Sequence, residues 1–178
     1  MAGVALPLRA VCGADGARAD RAGLDFEHMP VRSVSDADRE QMFAVWEGAF
    51  GHFGADWSTL LAGDYGVGVI RHRHGQQRIV AACLTCAQDV DTAAASLYLF
   101  GFGAHPRGHG HGSHLMDRIK HACASSRRHY ACITLRVDLP DKGEMRFYVR
   151  HGFSVTAAPA SDDADVEMTF PVVNVTSR

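Results

Sequence analysis

The sequence lacks any apolar run near the roughly 18 to 20 residues that a membrane-spanning helix needs. It also lacks an excess of basic residues, since 18 Lys and Arg stand against 20 Asp and Glu, for a net charge of −2. Nucleic-acid binding is therefore not expected as its main function. No basic start, apolar centre and cleavage site mark a secretory signal. We expect a protein that neither binds nucleic acid nor enters a membrane.

Cysteine is scarce, and its count of five is odd. An odd count without an export signal favours a reducing compartment, so we expect a cytoplasmic protein. Cys83 and Cys86 form a C-x-x-C spacing, but on a strand this spacing points the two side chains to opposite faces. The pair is therefore interpreted as two small core residues.

The apolar pattern divides the chain into two regions. Residues 1–28 are rich in Ala, Gly, Arg and Asp without a sustained apolar period, and we expect a flexible N-terminal arm. Residues 29–178 are expected to form one globular domain.

Within the domain, helical and strand periods alternate. The pattern predicts a first strand at 31–34, a helix capped by Ser35 or Asp36, a short helix at 57–61, strands at 67–72, 78–87 and 97–104, a helix after Gly112, a strand at 131–137, a helix ending at Gly152, and strands at 153–156 and 166–173. This order, β-α-α-β-β-β-α-β-α-β-β, predicts an α/β (α+β) fold around a mixed sheet.

Glycine recurs at every second position in residues 107–112, Arg-Gly-His-Gly-His-Gly, between a predicted strand and a predicted helix. Backbone amides without side chains around them can close on an anion, and a helix N-terminus adds donors and a positive dipole end. The segment therefore predicts a phosphate or diphosphate site. Gly101 and Gly103 in the preceding strand indicate either a bulge at a ligand or simple relief of crowding.

Two common phosphate loops are excluded. A Walker A loop needs Gly-Lys-Ser/Thr, but Gly112 is followed by Ser113 and His114. A dinucleotide fingerprint needs Gly or Ala three places after its second glycine, and Ser113 stands there.

A different pattern fits. Arg107, Gly110 and Gly112 form Arg-x-x-Gly-x-Gly at a helix start, and residues 147–153 read Phe-Tyr-Val-Arg-His-Gly-Phe. In order and spacing these segments resemble the coenzyme A diphosphate loop and the Phe/Leu-Tyr-x-x-x-Gly-Phe motif of the GCN5-related N-acetyltransferase (GNAT) superfamily. The resemblance extends over residues 30–173. It implies a mostly antiparallel sheet flanked by helices and an acetyl-CoA-dependent N-acetyltransferase that acts on a primary amine of a small molecule or a protein.

The resemblance also implies where acetyl-CoA lies. It would occupy a V-shaped opening between the strands at 97–104 and 131–137. The residues implied as its contacts are Phe102, Gly103 and Ala104 along the pantetheine arm, Arg107, Gly108, His109, Gly110, His111, Gly112 and Ser113 around the diphosphate, and Asp141 at a position where the family often has Asn.

The implied catalytic acid is Tyr148, which would protonate the departing thiolate. A phenol with a pKa of about 10 holds its proton at neutral pH. Its position in a helix is equally typical of a half-buried core aromatic. Asp138 and His105 are the candidate bases, with water as the alternative to both.

Three further interpretations stay open. The chain could be a non-catalytic acyl-CoA-binding or sensor module. The spacing of His105, His109, His111 and His114 suits a metal, but two of them fill free positions of the glycine loop, so we expect no metal. The acidic residues 161–165 would favour a cationic acceptor such as a polyamine, an aminoglycoside or a lysine side chain.

Dimers are common in the family, so a homodimer is a further expectation.

Overall fold

The computed structural model describes residues 23–54, 56–73, 77–92, 95–137, 142–157 and 165–173. They form one seven-stranded sheet in the order β1-β2-β3-β4-β5-β7-β6. Only β4 and β5 pair in parallel. The predicted class, a mixed and mostly antiparallel sheet flanked by helices, is confirmed.

The elements follow the predicted order. They are β1 (Leu24–Pro30), a 3-10 turn (Val31–Ser33), α1 (Asp36–Phe50), α2 (Trp57–Ala62), β2 (Tyr65–His72), β3 (Ile79–Gln88), β4 (Ser96–Ala104), α3 (His111–Ala124), β5 (Cys132–Val137), α4 (Lys142–Arg150), β6 (Ser154–Ala157) and β7 (Val166–Pro171). None of the described helices is long and apolar enough to span a bilayer.

The first strand lies earlier than predicted. Residues 31–33 form a 3-10 turn, so the strand prediction at 31–34 is wrong. The edge strand Leu24–Pro30 instead pairs with β2 over its whole length, from Leu24 opposite His72 to Pro30 opposite Gly66. Residues 24–28 of the predicted arm therefore belong to the sheet, whereas residues 1–22 lie outside the described part of the chain.

Helices cover both faces of the sheet. Helices α1 and α2 pack on one face, here called the α1 face, around Met42, Trp46 and Leu84. Helices α3 and α4 pack on the other, the α3 face, where Leu115, Ile119 and Tyr148 are buried. The first helix begins as predicted, because the Ser35 hydroxyl accepts a hydrogen bond from the Asp38 amide at 3.1 Å.

The parallel pairing of β4 and β5 is short. It covers only Ser96 to Tyr98 opposite Cys132 to Thr134. Beyond these residues β4 continues to Ala104, paired only with β3, and β5 continues to Val137, paired only with β7. The two strands thus diverge and leave an opening at the centre of the sheet, here called the β4–β5 opening.

A histidine in β1 makes the stability of the fold depend on pH. The His28 Nε2 lies 3.0 Å from the Thr85 hydroxyl, and burial lowers the pKa of His28 from 6.5 to about 4. The unfolded chain therefore binds more protons than the folded chain between these values, and acid destabilises the fold. We expect a loss of about 2 kcal/mol in unfolding free energy from about pH 7 to pH 5.

This loss is measured by urea unfolding at the two pH values. His28→Gln should reduce the pH dependence, because glutamine does not titrate. Parallel pH profiles for the two proteins would show that His28 is not its source.

Candidate active site

The divergent end of β4 carries a β-bulge. Ala82 pairs with Gly103 while Leu84 pairs with Phe100, so β3 spans two residues where β4 spans three. Gly101 stands in the bulge with a φ of +54°, which favours glycine. The predicted interruption of β4 is therefore a true bulge.

The bulge changes which residues face α3. Before it, Leu97 and Leu99 are buried on the α3 face; after it, Phe102 and Ala104 pack there. An uninterrupted strand would send the even-numbered residues to the α1 face throughout. The extra residue therefore turns Phe102 and Ala104 towards α3 and α4, beside the β4–β5 opening.

Aromatic rings close the opposite side of the bulge. A β-carbon at Gly101 would lie 2.9 Å from the Phe53 ring, and one at Gly103 would lie 3.0 Å from Trp46 and 3.3 Å from Phe50. Gly101 therefore allows close approach of Phe53, which lies between α1 and α2, and Gly103 allows close approach of α1. Phe50 and Phe53 are here called the aromatic wall. Phe50 is 41% exposed, so the wall is accessible to solvent at its edge.

The glycine loop, which is predicted to bind an anion and is here called the anion cradle, lies at the start of α3. Gly108 and Gly110 adopt φ values of +81° and +75°, and Gly110 is the residue before the helix. The first intrahelical hydrogen bond runs from the His114 amide to the Gly110 carbonyl at 3.0 Å. The amides of the preceding helix residues therefore point out of the helix end. No acidic residue occupies this first turn, so its positive potential is not neutralised there.

The Arg107 side chain does not point into this cradle. Its guanidinium donates a hydrogen bond to the Ala49 carbonyl in the last turn of α1. The contact satisfies a carbonyl at the helix C-terminus and ties the loop to α1. Arg107 therefore fixes the position of the loop in this structure.

The loop histidines pack on one another. His109 and His111 stack at 5.9 Å between ring centroids, and His72 meets His111 edge-on at 6.0 Å. The His109 Nδ1 also lies 2.9 Å from the Arg107 carbonyl. Within the described residues, no group of three His, Cys, Asp or Glu side chains is arranged to hold a metal.

Phe102 is where the loop, the bulged strand and α4 meet. Its ring lies 5.7 Å from that of Phe147 and 6.2 Å from that of Tyr148. A β-carbon at Gly112 would lie 3.6 Å from the same ring, so only ordinary contact separates the first turn of α3 from it. The glycine loop at the start of α3, the bulged strand β4 and Tyr148 of α4 are thus adjacent, as predicted parts of one site.

Tyr148 is 5% exposed and lies on the α3 face. Burial raises its pKa well above the usual value of tyrosine, and the charge of Glu144 adds to the effect. The phenol therefore keeps its proton at neutral pH, as a general acid must.

Of the two candidate bases, His105 lies apart from this group. The His105 ring packs on α1, where a β-carbon at Gly48 would lie 2.6 Å from its Nδ1. That nitrogen is buried, and no described residue hydrogen-bonds to it. His105 is therefore on the opposite face of the sheet from Tyr148. Asp138 and Asp141 lie outside the described residues.

Comparison with known proteins decides the family. The sequence model of the Acetyltransferase (GNAT) family matches residues 31–153, a range that holds both motif segments. The chain belongs to the GNAT family. None of the curated protein sequences matches it significantly.

Solved GNAT structures share the fold. The ribosomal-protein-S18-alanine N-acetyltransferase of Escherichia coli is 16% identical, with a TM-score of 0.61 over 83% of this chain and 94% of its own. Arabidopsis thaliana Naa50, in complex with the bisubstrate analogue CoA-Ac-MVNAL, is 18% identical, with a TM-score of 0.59 over 83% and 97%. Arabidopsis thaliana NAA60, in complex with acetyl-CoA, is 10% identical, with a TM-score of 0.63 over 83% and 99%. Such identities establish the fold alone.

One residue of this GNAT site was not predicted from the sequence. His151 occupies a free position of the Tyr148 motif, and its Nε2 lies 3.2 Å from the Ser113 hydroxyl in the first turn of α3. Its Nδ1 lies 3.6 Å from an Asp117 carboxylate oxygen. The only signal in the sequence is the spacing of Ser113 and Asp117, which places both on one face of α3.

Proposed function

We propose that the protein transfers the acetyl group of acetyl-CoA directly to a primary amine. The observation that carries this proposal is the meeting of three parts around Phe102. They are the anion cradle at the start of α3, the unpaired end of β4, and Tyr148. A cofactor with a diphosphate at one end and a thioester at the other matches this arrangement chemically.

In the proposed complex the amides of Gly108 to Ser113 bind the diphosphate at the positive end of α3. The edge of β4 that faces β5 at Phe102 and Ala104, which has no partner strand, pairs with the pantetheine arm. One of these amides also polarises the thioester carbonyl, because a donor aimed at a developing oxyanion stabilises the transition state.

The chemical step needs two proton transfers. The neutral amine attacks the thioester carbon, the carbon–sulfur bond breaks, and the thiolate takes the Tyr148 proton. The attacking nitrogen gives up a proton to a base. We retain Asp138, which follows β5, as the proposed base with water as its alternative, since His105 faces α1.

The surroundings favour a cationic acceptor. Between Arg39 and Arg71 the sequence has no Lys or Arg, and this stretch carries Glu40, Glu47, Asp56 and Asp64, against which stands the Arg107 guanidinium at the Ala49 carbonyl. Its aromatic wall of Phe50 and Phe53 faces the bulge. Aromatic faces and carboxylates together attract ammonium groups. The acidic residues 161–165 are predicted to act in the same way; of these, residues 161–164 lie outside the described part of the chain.

A thiol-release assay with acetyl-CoA tests the proposal. Polyamines, aminoglycosides and lysine-containing peptides form the acceptor panel, with neutral alcohols as the control. We expect free CoA to appear only when an amine is present. Saturable binding of acetyl-CoA without turnover on any amine would contradict catalysis and support the alternative, an acyl-CoA-binding or sensor module.

The loop anchor gives a second test. Arg107→Met removes the hydrogen bond to the Ala49 carbonyl. Without this anchor the free loop is less ordered, and ordering it when the donor binds costs free energy. We expect the acetyl-CoA dissociation constant to rise roughly fivefold, since a hydrogen bond contributes about 1 kcal/mol. Arg107→Lys keeps a donor and should lie between Met and wild type. Equal affinities in calorimetry for all three proteins would show that the anchor does not matter for binding.

A further inference from the structure

His151 links the two helices that hold the site. Its ring contacts the Ser113 hydroxyl through Nε2 at 3.2 Å and approaches Asp117 through Nδ1 at 3.6 Å. The side chain is only 14% exposed, whereas that of Asp117 is 68% exposed. A mostly buried imidazole thus lies between the Ser113 hydroxyl at the start of α3 and the Asp117 carboxylate one turn later.

The backbone of His151 is fixed as well. Its amide donates to the carbonyls of Phe147 and Tyr148, at 3.2 Å and 2.9 Å. Its own carbonyl accepts a hydrogen bond from Lys120 of α3. The ring also packs on Phe147 at 4.7 Å between centroids. His151 therefore holds the C-terminal end of the helix that carries Tyr148 against α3.

The charges around the ring set its protonation state. The charged groups that face it are Asp117 and Lys120 from α3 and Arg150 from α4. The neighbouring strand and loop contribute the rings of Phe153 and Phe170, which pack on Lys120. Burial lowers the pKa of His151, Lys120 and Arg150 lower it further, and Asp117 opposes them. The imidazole is neutral at neutral pH in the free protein.

The neutral imidazole of His151 carries one proton, on either Nδ1 or Nε2. The Asp117 carboxylate favours a proton on Nδ1, because Nδ1 can then donate towards it. Nε2 is then an acceptor, and the Ser113 hydroxyl donates to it. In this state the hydroxyl proton is turned away from the anion cradle at the start of α3.

We propose that His151 takes up a proton when the donor diphosphate binds and thereby turns the Ser113 hydroxyl towards the phosphate. This inference rests on the proposed function. The Ser113 hydroxyl then donates to a phosphate oxygen, and Nε2–H of His151 donates to the Ser113 oxygen. The negative charge of the diphosphate stabilises the imidazolium, whose other N–H faces Asp117. His151 is in this sense a positioning residue, since it acts through Ser113.

Calorimetry measures this proton directly. Acetyl-CoA is titrated into the full chain near pH 7 in HEPES and in Tris, whose different ionisation heats reveal the number of protons taken up. We expect wild type to take up more protons than His151→Gln, with a difference of at most one proton per molecule bound. Ser113→Ala should also take up fewer protons than wild type, because the imidazolium then lacks the Ser113 oxygen as the acceptor for Nε2–H.

Two controls separate this proton from others. Acetyl-dephospho-CoA lacks the 3′-phosphate, so the difference between the proteins should persist with it. The loop histidines are present in all variants and cancel in the comparison. Should His151→Gln fail to fold, Ser113→Ala decides the matter, since Ser113 is a partly exposed helix residue.

The outcomes are distinct. Equal proton uptake in wild type and Ser113→Ala, with acetyl-CoA bound by both, would overturn the role of His151 and leave the proposed function intact. Failure of wild type to bind acetyl-CoA would overturn the proposed function and this inference together. A difference in uptake, with an acetyl-CoA affinity that strengthens more steeply in wild type than in either variant as pH falls, is the result we expect.

Discussion

Replacing Tyr148 with phenylalanine is expected to lower kcat by about 10²-fold or more while leaving acetyl-CoA affinity nearly unchanged. The phenylalanine ring fills the same buried space beside Phe102 and Phe153, so packing is retained. Only the hydroxyl is lost, and with it the proton for the departing thiolate. Steady-state thiol release gives kcat, and calorimetry gives the affinity.

Tyr130 offers a matched control. It is 4% exposed, burial raises its pKa, and it packs in the same core as Tyr148. Tyr130→Phe removes a buried phenol outside the β4–β5 opening and should leave kcat unchanged. An equal loss of kcat in both variants would indicate a general effect on the core, and no loss at Tyr148 would remove its role as the acid.

The second large effect is expected at Gly110, the residue before α3, whose φ is +75°. Alanine is strained in this conformation by about 1 to 2 kcal/mol, and relief of that strain moves the first turn amides out of the cradle. We expect Gly110→Ala to weaken acetyl-CoA binding by roughly tenfold or more. Binding is measured by calorimetry.

Gly51 provides the control for backbone strain. It ends α1 with a φ of +77°, and a β-carbon there would meet nothing within 4 Å. Gly51→Ala carries a similar conformational cost and lies outside the anion cradle. It should lower the unfolding temperature without changing donor affinity. If both variants bind acetyl-CoA like wild type, the diphosphate is not held by this loop.

Local signals predicted the helices well. Ser35 caps α1 and Gly51 ends it, so both boundaries follow from neighbouring residues. The glycine loop at the start of α3 was predicted on the same basis, because glycine spacing and the following apolar period are local properties.

The first strand depends on contacts that the sequence does not reveal. Its charged residues Asp25 and Glu27 interrupt the apolar pattern, which favours an arm over a strand. In the fold Arg73 pairs with Asp25 at 2.7 Å and Arg71 pairs with Glu27 at 3.2 Å. Both arginines come from β2 and its end, more than 40 positions away in sequence, and only the sheet brings them together.

Side-chain directions in the site were equally hard to predict. Arg107 was expected at the diphosphate and instead contacts Ala49, since the last turn of α1 offers a carbonyl there. His105 was expected near the chemistry and packs against Gly48. The bulge at Gly101 was no easier to place from sequence, and its extra residue reverses the alternation of the positions that follow in β4, which include Phe102 and Ala104.

The structure of the complex with acetyl-CoA tests the central claim most directly. We predict the diphosphate on the amides of Gly108 to Ser113, the pantetheine arm along Phe102 and Ala104, and the Tyr148 hydroxyl within hydrogen-bonding distance of the thioester sulfur. Acetyl-CoA bound away from the β4–β5 opening, or a Tyr148 hydroxyl directed away from the sulfur, would contradict the account.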